Sequence, residues 1–280
     1  MMTYMQWANL IGDGDLATVR AVCENNTMHS AAYGNKAICL AARKGHLDIV
    51  RYLCELPATS GVDPAANGNI AVQEAAEYGH TDVVRYLCEL PLERGVNLAA
   101  ENNYAVLIAA ENGHLDTVRY LCELPLERGV DPAFDDNYCL RQAASNGHLS
   151  IVRYLCELPP ERGVDPAARH NWALCFSALA GNLSIVQYLC ELAERRGVSI
   201  HRAAFQYNAV PWAAENGHLD VVQYLCNQPY VDPAWAVAYA QGACAEVVCV
   251  ALAQRRRWTF VRAAWVVAVA SAGTGTVFTD

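Results

Sequence analysis

Histidine–aspartate pairs come closest in this sequence to a catalytic arrangement. His46, His80, His114 and His218 each precede an aspartate by two residues, and a carboxylate beside an imidazole could orient a general base. Each pair, however, follows a glycine at the same place in a repeating pattern. An active site needs one unique constellation, whereas copies at a fixed spacing serve the fold. We therefore predict that the chain is not an enzyme.

Cysteine is the second residue type that could do chemistry, and the chain contains 12 of them. No CxxC pair is present to begin a zinc site. Equivalent positions in neighbouring repeats are expected about 8–10 Å apart, beyond the Cα separation of under about 7 Å that a disulfide needs. We interpret the repeated cysteines as small core residues in a reducing compartment, and we predict no metal and no cofactor. The six at one repeat position are Cys54, Cys88, Cys122, Cys156, Cys190 and Cys226.

The elements that carry these residues recur with a fixed period. Glycines follow one another at intervals of 34 residues from Gly45 to Gly181, and the next step, to Gly217, is 36 residues. A Tyr-Leu-Cys triplet recurs in step with them, from Tyr52 to Tyr224. Self-similarity at this period is typical of stacked-repeat proteins, in which each unit buries its apolar face against its neighbours.

The third repeat shows that each unit is a pair of helices. A short first helix over Tyr104–Asn112 ends at Gly113, where a left-handed residue is favoured. The second helix, over Leu115–Leu124, has an apolar stripe and ends before Pro125. That stripe consists of Leu115, Val118, Leu121 and Cys122. The spacing of the charged residues predicts weak ion pairs on the opposite face, among Asp116, Arg119 and Glu123.

This pattern divides the chain into four parts. Residues 1–33 are predicted to form an N-terminal capping repeat, and residues 34–230 to form six full repeats. Residues 231–257 are predicted to form a shortened C-terminal capping repeat, since terminal units have one face without a neighbour. Residues 258–280 combine an apolar helix with a flexible tail. That helix either docks on the end of the stack or makes a contact for self-association or a partner.

The segment from Ala109 to Asp116 resembles the Ala-Ala-x-x-Gly-His-Leu core of ankyrin repeats. The tetratricopeptide repeat has the same period, but its Trp-x-x-Leu-Gly start is absent. The resemblance implies an all-α, ankyrin-like solenoid of stacked antiparallel helix pairs. Two departures predict short turns without β-hairpin fingers. Tyr104–Leu107 replaces the family's Thr-Pro-Leu-His start, and Leu90–Arg94 lengthens the end of the second helix.

Composition indicates which class of partner and which cellular compartment to expect. The net charge is −9 and no long basic run is present, which argues against nucleic acid as a partner. No stretch reaches the roughly 20 apolar residues of a membrane span, so we predict no membrane association. Met1–Leu10 lacks the pattern of a secretory signal. We therefore expect a cytoplasmic protein, with the nucleus as the alternative compartment.

The ankyrin resemblance also implies where a partner binds, since turn tips and the exposed face of the first helix line a concave groove in such solenoids. The tips that correspond in this chain are Asn67, Glu101, Asp135, Asp136, Arg169, His170, Phe205 and Gln206. The first-helix positions that correspond are Glu74, Tyr78, Ile108, Glu111, Gln142, Asn146, Phe176, Leu179 and Trp212. Both sets vary between repeats, as binding positions should.

These positions separate into two zones. An acidic zone comprises Glu101, Glu111, Asp135 and Asp136, and an apolar zone comprises Phe176, Leu179, Phe205 and Trp212. The favoured hypothesis is a protein–protein interaction module that binds a partner protein or peptide with basic residues and apolar anchors. A second interpretation has Phe176 and Trp212 packed on each other and buried. Two other functions remain open: an architectural array that self-associates through residues 258–280, and a regulatory domain separated from a catalytic chain.

Overall fold

Helix pairs occupy nearly all of the chain that the structure, a computed structural model, describes: residues 4–24, 31–57, 60–196 and 209–228. The helices are α1 (Tyr4–Asp13), α2 (Leu16–Glu24), α3 (Ala31–Lys44), α4 (Leu47–Glu55), α5 (Ala66–Glu77), α6 (Thr81–Glu89), α7 (Ala100–Glu111), α8 (Leu115–Glu123), α9 (Phe134–Ser145), α10 (Leu149–Glu157), α11 (Ala168–Leu179), α12 (Leu183–Arg196), α13 (Val210–Glu215) and α14 (Leu219–Cys226). Single-turn 3-10 helices occur at Leu92–Arg94, Leu126–Arg128 and Pro160–Arg162.

The chain divides into two compact units. Of the described residues, unit 1 contains those up to 143 and 150–165, and unit 2 contains 144–149 and those from 166 to 228. In unit 1, the first helices of successive pairs pack side by side, α1 on α3, α3 on α5 and α5 on α7. The second helices form a parallel row, with α2 on α4, α4 on α6 and α6 on α8.

Each pair turns at a glycine in the left-handed conformation. Gly45, Gly79 and Gly113 have φ angles of 73°, 74° and 85°, values that L side chains adopt only at a cost. The second helix therefore begins two residues later, as the sequence predicts. A side chain of the next repeat also favours glycine at this position, because a Cβ at Gly79 would lie 2.4 Å from Nδ1 of His114.

The repeated histidines contact backbone carbonyls of the preceding repeat. Nε2 of His114 lies 2.9 Å from the carbonyl oxygen of Glu77, and Nε2 of His80 lies 3.0 Å from that of Arg43. Each imidazole thus bonds the end of the preceding repeat's first helix, where carbonyls lack partners within the helix. This geometry supports the interpretation that the histidine–aspartate pairs serve the fold.

The repeated cysteines lie in the core between the two rows of helices. Cys54, Cys88 and Cys122 are at most 3% exposed, and burial raises the pKa of each thiol to about 12. Such thiols are protonated and poor nucleophiles near neutral pH. The predicted role as small core residues is therefore supported by their packing.

Arginine and tyrosine side chains join the second helices of unit 1. The guanidinium carbon of Arg85 lies 4.6 Å from the ring centre of Tyr120, and that of Arg119 lies 5.4 Å from the ring centre of Tyr154. This ring contact does not test the ion pairs predicted for Arg119 with Asp116 and Glu123, which stay a prediction. The tyrosine ring of the next repeat offers a cation–π contact that the sequence of one helix cannot reveal.

The extension Leu90–Arg94 contains the first of the 3-10 helices. It and its counterparts connect neighbouring repeats, on the side that we call the outer edge. The guanidinium of Arg94 donates a hydrogen bond of 2.7 Å to the carbonyl of Cys54, and that of Arg128 donates one of 2.8 Å to the carbonyl of Cys88. Arg162 makes a similar bond, but to the carbonyl of Leu124, just after α8, and not to that of Cys122. Since carbonyls at a helix C-terminus lack helical partners, the arginine supplies one and neutralises the negative end of the dipole.

Unit 2 repeats the same scheme in its described part. Helix α11 packs on α12 and α13, and α14 packs on α12 and α13. Asn182 takes the place of the repeated histidine, and its Nδ2 donates to the carbonyls of Ala144 and Ser145 at 2.9 and 2.8 Å. The amide of Asn182 therefore bonds the end of the preceding first helix, as the imidazole of histidine does in other repeats.

These observations confirm the predicted all-α class of helix pairs with short turns, and no strand occurs within the described residues. Within the same residues, no helix is long and apolar enough to cross a membrane. The predicted division into capping and full repeats stays a prediction. Helix α3 begins at Ala31, shortly before the predicted boundary. The apolar tail at 258–280 and the shortened unit at 231–257 lie outside the described residues.

Candidate protein-binding surface

The turn tips are formed by three consecutive residues in the left-handed conformation. In the third repeat, Glu101, Asn102 and Asn103 have φ angles of 49°, 61° and 64°. Non-glycine residues adopt this region rarely, and asparagine tolerates it best. The same conformation occurs at Asn67–Asn69, Asp135–Asn137 and Arg169–Asn171. Such a tip is a single left-handed turn at the start of α5, α7, α9 and α11.

A buried asparagine holds each tip of unit 1 in place. Asn69, Asn103 and Asn137 are each at most 6% exposed. The Oδ1 atom of Asn103 accepts a hydrogen bond of 2.8 Å from the backbone N–H of Asp131. Asn69 accepts one of 2.9 Å from Asn97, and Asn137 one of 2.9 Å from Asp165. Because each bond reaches 28 residues along the chain, neighbouring repeats fix the tip conformation together.

The other tip residues project into solvent. Every predicted tip within the described residues is exposed: Asn67, Glu101, Asp135, Asp136, Arg169 and His170. The side chain of Glu101 also leans over the preceding tip, since a Cβ at Gly68 would lie 2.9 Å from its Oε1. Phe205 and Gln206 lie outside the described residues. The tips thus share one backbone conformation and differ in their exposed side chains.

The exposed side of α5, α7 and the unit 1 part of α9 forms a continuous row, which we call the first-helix face. Tyr78 and Tyr104 are 44% and 40% exposed, and the remaining members are half-buried. Those half-buried members are Glu74, Glu77, Ile108, Glu111, Tyr138 and Gln142. The face carries three carboxylates, Glu74, Glu77 and Glu111, and Glu101 adds a fourth at the tip of α7.

An internal ion pair occupies one end of this face. Nε of Arg43, at the end of α3, lies 3.0 Å from Oε2 of Glu74, and its guanidinium carbon lies 5.2 Å from the ring centre of Tyr78. Burial raises the pKa of Glu74, and Arg43 partly offsets that shift. The pKa of Arg43 is raised by a hydrogen bond with Tyr78 and by the charge of Glu74. Glu74 thus belongs to an intramolecular pair.

A second internal pair occupies the face at α9. Nη2 of Arg141 lies 3.0 Å from Oδ2 of Asp135, and the guanidinium carbon lies 5.3 Å from the ring centre of Tyr138. The amide of Gln142 donates a hydrogen bond of 2.6 Å to the hydroxyl of Tyr138. Asp135 and Gln142, both predicted to contact a partner, therefore also organise the face itself.

The apolar zone of unit 2 is an aromatic cluster. The rings of Phe176 and Trp212 have centroids 6.0 Å apart, and those of Phe176 and Trp172 have centroids 5.7 Å apart at an angle of 85°. Phe176, Leu179 and Trp212 are half-buried. Phe176 and Trp212 therefore pack on each other, as the second interpretation holds, but they are not buried, as it also requires. Their contact with a partner stays a prediction. Offset and edge-to-face contacts of this kind stabilise the repeat itself.

Two features of this surface escaped the sequence-based prediction. Glu77, Tyr104 and Tyr138 belong to the first-helix face but were not among the predicted positions. Their signal was present in the spacing, since Glu77 and Glu111 are 34 residues apart, as are Tyr104 and Tyr138. Asparagines recur at the same interval from Asn35 to Asn171, and those from Asn69 onwards are buried.

Within the described residues, no group of three or more histidine, cysteine, aspartate or glutamate side chains is placed to hold a metal ion. The side chains that are brought together are instead carboxylates beside tyrosine rings in unit 1, and aromatic rings in unit 2. Carboxylates accept hydrogen bonds and attract cations, and tyrosine rings pack against cations and aliphatic stems. Both properties serve recognition.

Comparison with known proteins identifies the repeats. The family model for ankyrin repeats (3 copies) matches residues 5–102, 90–170 and 140–234. These matches together span most of the chain. No curated protein matches the chain.

Proposed function

Because the chain belongs to the ankyrin repeat family, we propose that it is a non-enzymatic module that binds a partner protein or peptide along its tips and first-helix face. Ankyrin repeats are in general protein–protein interaction modules. The observation that carries the proposal is the contrast between backbone and side chains at the tips. The left-handed turn repeats at four places, whereas the exposed side chains change from one repeat to the next. A constant frame with variable exposed side chains is suited to recognition.

Charge favours a basic partner segment. Glu101 and Asp136 are exposed at neighbouring tips, and Glu77 and Glu111 lie on the first-helix face behind them. The chain as a whole has a net charge of −9. Complementary charge across an interface raises the association rate and suppresses wrong partners. Tyrosines such as Tyr78 and Tyr104 supply the aromatic contact that binding hot spots need.

Selection from a displayed library of random dodecapeptides, with the full chain as bait, tests the proposal. We expect enrichment of peptides that contain basic and apolar residues and that lose affinity for Glu101→Lys and Asp136→Lys variants. Glu161→Lys is the matched control, because Glu161 is also exposed but lies on the 3-10 helix at the outer edge. No enrichment, or equal loss in all three variants, would exclude binding at this surface.

The aromatic cluster of unit 2 is a second candidate contact. Phe176→Ala and Trp212→Ala are expected to weaken binding of the selected peptides if the rings reach the partner. Both substitutions also remove ring contacts within the repeat, so the unfolding midpoint of each variant has to be measured beside its affinity. Unchanged affinity in a folded variant would remove the cluster from the binding surface.

A further inference from the structure

An open cavity lies at the outer edge, between two neighbouring repeats of unit 1. Its volume is about 510 Å³, within the range of roughly 300–1,000 Å³ that is typical of ligand pockets. One wall is the turn that precedes α5, and the other is the end of the first 3-10 helix, residues 93–95. The described residues that line the cavity include none of the tips and none of the first-helix face. The cavity is therefore distinct from the surface already described.

The floor of the cavity is apolar. Val62 is 8% exposed, and Leu56 and Ala65 beside it are half-buried. Removing the surface of such side chains from water is favourable when an aliphatic group covers it. The floor therefore suits an aliphatic side chain.

Two carboxylates, of Asp63 and Glu93, stand on opposite walls of this cavity. Both residues are exposed, and neither takes part in an ion pair within the described residues. Oδ1 of Asp63 accepts a hydrogen bond of 2.9 Å from the backbone N–H of Ala65, which fixes the direction of that side chain. The carboxylates are thus available to a cation from outside.

The guanidinium of Arg94 also lines the cavity, but it is held by the chain itself. Its Nη1 atom donates a hydrogen bond of 2.7 Å to the carbonyl of Cys54. Among the described lining residues, Arg94 is the only cationic one, so two negative charges stand against one positive charge. The excess negative charge attracts a positively charged group.

A row of exposed leucines begins beside the cavity. Leu92, directly before Glu93, is 74% exposed, and Leu126, in the same place one repeat later, is 54% exposed. The residue 34 positions before Leu126 is Leu92, whereas the residue 34 positions before Leu92 is Ala58. The greater exposure of Leu92 agrees with its being the first leucine of the row. An aliphatic side chain from a partner would extend the row at this end.

We propose that the cavity binds a partner protein through an aliphatic residue followed by a basic residue. The aliphatic side chain packs on Leu56, Val62 and Leu92, and the cation of the next residue pairs with Asp63 and Glu93. A protein segment suits the site because it can continue along the row of leucines, as a small amine cannot. This inference goes beyond the proposed function, since it places a second contact at the outer edge.

A nuclear magnetic resonance titration of the full chain tests the cavity. The probes are acetyl-leucyl-lysine amide and acetyl-leucyl-norleucine amide, in which a neutral side chain replaces that of lysine. We expect shifts of the amide signals of Gly61 and Gly95 and of the methyl signals of Val62, all of which line the cavity. The lysine dipeptide should bind about tenfold more tightly than the norleucine dipeptide, as for hydrogen bonds to charged groups.

A double variant, Asp63→Asn with Glu93→Gln, removes both charges and should bind the two dipeptides equally. Asn97 shows that the turn tolerates the first change, because it stands one repeat after Asp63 and accepts the corresponding N–H bond at 3.0 Å. Glu127→Gln is the control variant. Glu127 is exposed on the next 3-10 helix and does not line the cavity, so the preference for lysine should stay about tenfold.

The outcomes separate this site from the proposed function. Equal affinity of the two dipeptides for the wild-type chain, or a preference that persists in the double variant, overturns the pairing with Asp63 and Glu93 and with it the proposal. Shifts at the tips in place of Gly61 and Gly95 overturn the cavity site and leave the tips as a binding surface. A titration that shifts no signal also overturns the cavity site, whereas the dodecapeptide selection tests the proposed function independently.

Discussion

The Oδ1 atom of Asn103 accepts a hydrogen bond of 2.8 Å from the backbone N–H of Asp131, 28 residues further along the chain. Asn103 is 6% exposed and has a φ angle of 64°. This one side chain therefore fixes a left-handed tip and at the same time connects two repeats. Asn69 and Asn137 repeat the arrangement on either side.

Replacing Asn103 with alanine should destabilise the protein more than replacing its neighbour Asn102. Both residues are left-handed, so each alanine costs about 1 kcal/mol for the conformation. Only Asn103→Ala also leaves the N–H of Asp131 without its acceptor, which adds about 1–2 kcal/mol. Unfolding in urea, followed by circular dichroism, measures the difference. Equal midpoints for the two variants would show that the bond does not stabilise the fold.

The repeated glycines should differ in their tolerance of alanine. Gly79 and Gly217 have nearly equal φ angles of 74° and 76°. A Cβ at Gly79 would meet Nδ1 of His114 at 2.4 Å, whereas a Cβ at Gly217 has no described heavy atom within 4 Å. Gly217→Ala should cost about 1–2 kcal/mol from conformation alone, and Gly79→Ala should cost clearly more because His114 must move.

Thermal unfolding of these two glycine variants supplies the measurement. If Gly79→Ala and Gly217→Ala lower the midpoint equally, the packing of His114 against Gly79 contributes nothing measurable. The variant His114→Ala then serves as a second check. Combined with Gly79→Ala, it should recover the part of the loss that comes from the clash.

Stability should decrease at alkaline pH because the buried thiols resist ionisation. Burial raises the pKa of Cys88 from 9.0 to about 12 in the folded state. Between these values the unfolded chain has released the proton and the folded chain has kept it, so the unfolded state gains. The free energy of unfolding should therefore fall as pH rises from 9 towards 12, by up to about 1.4 kcal/mol per pH unit for each such thiol.

Urea unfolding at several pH values checks this dependence. The slope against pH should be shallower in Cys88→Ala, which removes one of the thiols, whatever its stability at neutral pH. A slope that is the same in both proteins would mean that the Cys88 thiol does not titrate with folding. Cys54 and Cys122, with pKa values also raised to about 12, should give similar changes.

Arg128 should stabilise the repeat stack through its backbone bond. Its guanidinium donates to the carbonyl of Cys88 at 2.8 Å, one of the carbonyls that end α6. Arg128→Met keeps much of the apolar stem and removes the bond, and the expected loss is about 1–2 kcal/mol in chemical unfolding. Glu127→Gln, next to it and exposed, should change stability by less than about 0.5 kcal/mol. A loss no larger in Arg128→Met than in Glu127→Gln would contradict the role of the bond.

The helix pairs and their core could be predicted because their signals are local. The glycine that ends a first helix and the apolar stripe of the second helix each occur within a few residues. The tip conformation could not be predicted in this way, since Arg169 and His170 have no strong preference for left-handed backbone yet adopt φ angles of 48° and 59°. In unit 1, the buried asparagines show what imposes it: hydrogen bonds that reach the next repeat.

The surface was predicted less completely than the fold, again because several of its contacts join side chains of different repeats. The acidic positions Glu101 and Asp136 are exposed as expected. The pairing of Glu74 with Arg43 depends instead on the contact between two first helices, and the role of Arg119 depends on the ring of Tyr154 in the next second helix. Side-chain partners that belong to two different repeats can be identified only once the repeats are packed together in the structure.

The asparagine bonds also have a consequence for how such a chain can change in length. Each repeat of unit 1 from Asn35 onwards carries both halves of the connection, an accepting amide and, 28 residues later, a donating N–H. The donor belongs to the backbone and so does not depend on which side chain stands there. A duplication or deletion of 34 residues would leave every acceptor opposite a donor. The array can therefore gain or lose whole repeats by recombination while the remaining junctions stay intact.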